Sequence, residues 1–158
     1  MKQSLLLALL LTLAACASAP LKLQGVNRSI TPAMVSTNYP YTGERVVWGG
    51  IIIKTQPLQD TTQIEVLAYP LESNGEPDRQ ASPLGRFLIV HRGFLEPTEF
   101  SPGHWLSVVG RIGPAQMGKV GKASYRFPVI QPEQLYLWPA NRGSRGTTHF
   151  NFGIGIRL

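Results

Sequence analysis

The side chain with the clearest chemical potential is Cys16, the only cysteine among 158 residues. A single thiol excludes an intrachain disulfide and any cysteine-built zinc cluster. Its neighbours Ala14, Ala15 and Ala17 are small, which leaves the sulfur open as a nucleophile. The three histidines, His91, His104 and His149, form no His-Glu-x-x-His and no pair at helical ligand spacing, so no metal site is expected. Gly-x-Ser-x-Gly, Ser-x-x-Lys and the P-loop are all missing from the chain, which removes the commonest signatures of serine nucleophiles and phosphate cradles. The nine carboxylates are scattered. Glu96 and Glu99, on either side of Pro97 and Thr98, lie close in sequence and could be imagined as an acid/base pair. They read better as acidic residues at the start of a short helical turn, facing its dipole. No catalytic residue and no enzymatic activity are expected.

The surroundings of Cys16 give its thiol a purpose. Lys2 supplies an early positive charge, and Leu5–Leu13 is apolar except for Thr12. A basic start, a short apolar core and small residues at the end describe a secretory signal. The apolar stretch is too short to span a bilayer as a helix, which needs about 20 residues. Leu13-Ala14-Ala15-Cys16 resembles the bacterial lipobox. That resemblance implies a diacylglycerol on the cysteine sulfur, cleavage between Ala15 and Cys16, and an N-acyl chain on the new amino group. One chain binds a bilayer only marginally, at about 0.8 kcal/mol per buried CH₂, whereas two or three hold durably. Ala17 in place of an aspartate after the cysteine is similar to the pattern of outer-membrane lipoproteins. Beyond the covalent lipid, no cofactor is expected.

The remaining candidates are aromatic and basic. Trp48, Trp105 and Trp138 fall in or beside apolar runs. Each reads either as part of a ligand platform or as core packing, with core packing preferred. Arg45, Arg86, Arg92 and Arg111 flank the same runs near glycines. They read as a basic patch for lipid phosphates or as edge charges that discourage strand aggregation. Trp48, Trp105, Arg45 and Arg111 are the binding candidates taken forward. The net charge is +6, and losing Lys2 with residues 1–15 lowers it to +5. A basic balance favours anionic partners, and for an exported chain these are lipid headgroups or an envelope protein. Nucleic acid is not expected as a partner.

These residues must be positioned by short β elements. Hydrophobic residues make up 43% of the chain, with 16 glycines and 13 prolines placed between the apolar runs, a pattern of strands and turns. Five strand signals stand out: 46–53, 62–69, 86–91, 105–112 and 125–130, the last resuming at 134–138. Gly49-Gly50 inside the first marks a bulge or sharp bend, and Pro128 places the fifth at an edge or bulge. Residues 70–83, 94–103 and 113–121 read as loops, the middle one with room for a helical turn. Thr31 and Pro32 predict a short helix beginning at Pro32. The expected division is a signal peptide over 1–15 with its helix, a lipidated cysteine and tether over 16–33, a β-domain over 34–139, and a basic link with a C-terminal strand over 140–158. That last strand carries Phe150, Phe152, Ile154, Ile156 and Leu158 on one face. It reads as membrane- or partner-facing, or as pairing back onto the domain. Five such strands close most economically as a small Greek-key barrel of the OB type, with an open β-sandwich as the alternative.

The segments 43–52, 64–71, 85–88 with 93–97, and 109–112 with 118–121 and 125–130 are similar to those of the Slp family of outer-membrane lipoproteins. The resemblance runs over roughly residues 13–138. It implies an outer-membrane, envelope location and an association with starvation or stationary phase. The expected placement is lipid-anchored at the outer membrane with the domain on the periplasmic face. The resemblance implies no reaction and carries over no catalytic residue. A longer, aromatic-rich C-terminal region known in the family is replaced here by the short alternating segment, so a role for that tail does not transfer. The leading expectation is an envelope structural or binding lipoprotein. The alternative is an exported OB-like module for an anionic ligand: headgroup, glycan or nucleic acid.

Overall fold

The computed structural model describes residues 20–37 and 40–140. The expected signal helix, the lipobox, Cys16 and the C-terminal alternating strand all lie outside the described residues.

Five strands follow the apolar runs: β1 Arg45–Pro57, β2 Thr61–Ala68, β3 Arg86–Arg92, β4 Trp105–Val120 and β5 Ala123–Trp138. They close in the order β1-β2-β3-β5-β4 and back to β1. Every pair is antiparallel except β3 with β5, which run parallel through Leu88–Val129 and Ile89–Ile130. This is the closed OB-like barrel expected from the strand count, and the open sandwich is set aside.

Closure depends on β1 serving two partners. Its first half, Arg45–Ile51, pairs with β4, and its second, Gly50–Pro57, pairs with β2. The changeover falls at Gly50, where a Cβ would sit 1.9 Å from the Leu67 carbonyl oxygen. Only glycine lets the two backbones approach this closely.

Inside the barrel, alternate residues of each strand meet. Val46, Trp48, Ile52, Ile64, Val66, Phe87, Ile89, Leu106, Val108 and Ile130 are all buried. Each such side chain contributes about 1.5–3 kcal/mol on leaving water. Trp48 stands edge-on to Phe87 with ring centroids 5.2 Å apart. Its indole N–H donates to the Ile30 carbonyl at 2.7 Å. Leu95 and Phe100, from the loop between β3 and β4, join the same core. In that loop the Phe100 N–H donates to the Glu96 carbonyl at 3.1 Å, the helical turn anticipated there.

Three segments differ from their expected form. Residues 21–31 were expected within a tether, yet Leu21 is 2% exposed and packs with Val47 and Val109 on the outside of the barrel. The physical reason lies in the strands. Val46-Val47-Trp48 and Leu106–Gly110 are buried without a break, so their outer face also needs a cover, and Leu21, Leu23 and Val26 supply it. Residues 70–83 are not a wholly exposed loop. Gly75 and Pro77 are buried, and the Gly75 carbonyl accepts from the buried Ser107 hydroxyl at 2.6 Å. Residues 113–121 are not a loop: β4 runs on to Val120 and turns back through Gly121 and Lys122. Pro114 is tolerated because the register shifts between Gly113 and Gln116, a bulge where its missing N–H is not needed. Pro128 lies opposite the same irregularity, as its expected place at a bulge requires.

The helix begins where expected. Here α1 spans Pro32–Thr37, and the Thr31 hydroxyl accepts from the Met34 N–H at 3.3 Å, an N-cap contact. Arg126 donates to the Val35 and Ser36 carbonyls, each at 3.3 Å, satisfying acceptors that the last turn leaves unpaired.

Candidate functional site

Strands β4 and β5 each hold 16 residues about the turn Gly121–Lys122. Their far ends therefore face each other, and Trp105 pairs in register with Trp138. Two bulges intervene, one with its extra residue on β4 near Pro114 and one on β5 at Glu133. They cancel, so the two tryptophans still meet. Both lie on the outer face, beside Ser107 and Tyr136, which are also register partners.

The rings are fixed by their neighbours. Tyr69 meets Trp105 edge-on at 5.1 Å, and Tyr136 meets Trp138 edge-on at 4.6 Å, in the geometry that aromatic quadrupoles favour. The Trp138 N–H donates to the Ser107 hydroxyl at 2.9 Å. The Arg79 guanidinium lies 5.2 Å from the Trp105 ring centroid, a cation–π contact. Arg79 also donates to the Pro139 and Ala140 carbonyls at 3.0 and 3.2 Å and lies 3.6 Å from Glu76. Its Nε is buried without a hydrogen-bond partner among the described residues.

Trp105, Trp138 and Arg79 line a groove of about 500 Å³, completed by Thr98, Glu99, His104, Leu137 and Pro139. The His104 ring is tied by Nδ1 to the Glu99 carbonyl at 2.7 Å. Aromatic faces, one guanidinium and an exposed imidazole make a surface for binding. No activated nucleophile with a neighbouring base is assembled in the groove, and among the described residues no three His, Cys, Asp or Glu converge as metal ligands.

The four binding candidates from the sequence separate. Trp105 lies in the groove. Trp48 is 3% exposed and belongs to the core, in keeping with the preferred reading of that residue. Arg45 and Arg111 are register partners on β1 and β4, away from the groove, and like charges so placed repel. Glu133, pushed out by the β5 bulge, stands between them. It lies 2.6 Å from Arg45 and 3.5 Å from Arg111. Arg45 also donates to the Gln24 carbonyl at 2.7 Å, and Arg111 to that of Gly43 at 3.0 Å. These arginines hold strand ends and the N-terminal segment together. Arg86 pairs with Glu65 in the same way. Glu96 accepts from the Thr98 hydroxyl at 3.2 Å, so its carboxylate serves the turn.

Sequence reasoning missed Arg79 and His104 as groove residues, and Tyr69 and Tyr136 as the rings that fix the two tryptophans. Trp138 reads from the sequence as lying in or beside a strand, but its pairing with Trp105 does not, because reading 113–121 as a loop hides the Gly121–Lys122 turn that sets the register. Nothing in the spacing of residues 70–83 pointed Arg79 at Trp105.

Comparison with known proteins spans the segments that carry the resemblance. The family described as "Outer membrane lipoprotein Slp family" matches residues 13–153. The outer membrane protein Slp of Escherichia coli K12 is 32% identical over 141 residues, covering 87% of this chain and 74% of that protein. The uncharacterized lipoprotein YeaY of the same organism is 32% identical over 133 residues, covering 81% and 67%. A match of this extent, running from the end of the apolar leader through all five strands, decides the assignment: the chain belongs to the outer membrane lipoprotein Slp family.

Proposed function

We propose that this protein is a non-catalytic interaction module of the cell envelope. Acyl chains on Cys16 hold it to the outer membrane with its barrel on the periplasmic face, and it engages an envelope ligand through the Trp105–Trp138 groove. The observation that carries the binding role is that groove: about 500 Å³, walled by two register-paired tryptophans and a guanidinium. Aromatic and arginine anchors of this kind, half-buried here, dominate the energetics of recognition sites once a partner covers them. The anchor rests on Leu13-Ala14-Ala15-Cys16 and on membership of a lipoprotein family.

Two measurements test the proposal. Mass spectrometry of the protein from outer-membrane fractions is expected to show a chain beginning at acylated Cys16. Cys16→Ser is expected to accumulate as an uncleaved precursor outside that fraction. An unmodified thiol on a chain that keeps its leader overturns the anchor. For the groove, cross-linking in intact cells from position 98 on its rim is expected to give a discrete adduct that Trp138→Ala abolishes. An adduct indifferent to Trp138→Ala removes the groove from the account.

A further inference from the structure

Strand β5 is paired on only one side along most of its second half. At Val129 and Ile130 it has β4 on one edge and β3 on the other. Beyond that point β4 continues to Trp138, and among the described residues no strand lies on the opposite edge. A half-buried edge of seven residues, Pro132–Trp138, is therefore left without a neighbouring strand, the kind of template that another strand completes.

The chain supplies a candidate for that place. It passes through Pro139 and Ala140, whose carbonyls Arg79 grips, and 18 residues follow. The first nine carry Gly143 and Gly146; the last nine are Phe150-Asn151-Phe152-Gly153-Ile154-Gly155-Ile156-Arg157-Leu158. The two faces of β5 match the two faces of that segment. Leu135 and Leu137 pack against the barrel core, as Phe152, Ile154 and Ile156 would beside them. Tyr136 and Trp138 stand on the outside, where Gly153 and Gly155 offer no side chain and leave room for the rings. Aromatic residues covering glycines on a neighbouring strand are a known stabilising device in sheets.

We infer that residues 150–158 add antiparallel to the open edge of β5, as a sixth strand whose apolar face extends the core beside Leu135 and Leu137. The connection, residues 139–149, returns the chain to the edge it has just left. The inference does not depend on acylation of Cys16.

Hydrogen exchange on the full mature chain in detergent tests it. Every second amide between Glu133 and Trp138 is expected to exchange at least about tenfold more slowly than in a chain ending at Ala140. Ile154→Asp, which keeps the full length, is expected to lose the same protection while β1 and β2 amides stay unchanged. Equal exchange in all three proteins overturns the inference. Protection that rises with protein concentration assigns the edge to a second copy of the chain and overturns it too.

Discussion

Gly50 and Gly110 show at single-residue scale what holds the barrel closed. A Cβ at Gly50 would stand 1.9 Å from the Leu67 carbonyl oxygen, and one at Gly110 would stand 2.1 Å from that of Gln131. Neither residue has a positive φ, so the demand is for space and not for an unusual backbone angle. Backbone cannot yield as a side chain does. Gly50→Ala is therefore expected to cost about 3 kcal/mol or more, the upper end for overpacking, read as a drop in the urea midpoint. Gly113 is the internal control. A Cβ there meets only the Gln131 side chain, at 3.5–3.7 Å, and Gly113→Ala is expected to stay within about 0.5 kcal/mol of the parent. Equal effects at the two positions would refute the closure argument. Ser107 carries a different load. Its hydroxyl donates to Gly75 and accepts from Trp138, and it is fully buried. Ser107→Ala strands both partners and is expected to cost about 1–3 kcal/mol, with a change in tryptophan emission that a purely internal cavity would not produce.

Among the elements, the strands were legible because their apolar periodicity is local, and the covers were not. Val47, Ser107 and Val109 point away from the barrel interior yet are buried. An unbroken run such as Val46-Val47-Trp48 signals burial on both faces, but it does not say which segment lies on the second face. Residues 20–31 lack any period because they follow the barrel surface as an extended, irregular strap, touching it with Leu21 and through the Asn27–Val46 bridge. Residues 113–121 were misread for a related reason. Pro114 and three glycines look like a loop until the bulge that accommodates them is known. Arg79 and the groove depended on where 70–83 folds over, which local spacing does not encode. The strap carries a prediction of its own. Leu21→Ala is expected to lower stability by about 2 kcal/mol, the low end for a buried leucine because the site is peripheral. It is also expected to open cleavage by trypsin after Lys22 and Arg28. Unchanged resistance to trypsin would mean that the strap is held by something other than Leu21.

Over the whole molecule, the proposed anchor and the fold are separable in energy. Acyl chains on Cys16, as proposed, would contribute their free energy only in a bilayer, about 0.8 kcal/mol per buried CH₂, and none of it would go into closing the barrel. The barrel closes on its own strands, and the first buried residue among those described, Leu21, comes five residues after the lipidation candidate Cys16. A chain of residues 20–158, without leader or cysteine, is accordingly expected to fold. Its unfolding free energy is expected within about 0.5 kcal/mol of that of the acylated protein in the same detergent. Shortening the start to Gly25 removes Leu21 and Leu23 from the outer face of β1 and β4, and that form is expected to lose at least about 2 kcal/mol. The pair separates two accounts. If the barrel needs the membrane, both chains fail alike. If it needs only its strap, the first keeps its full stability and the second does not.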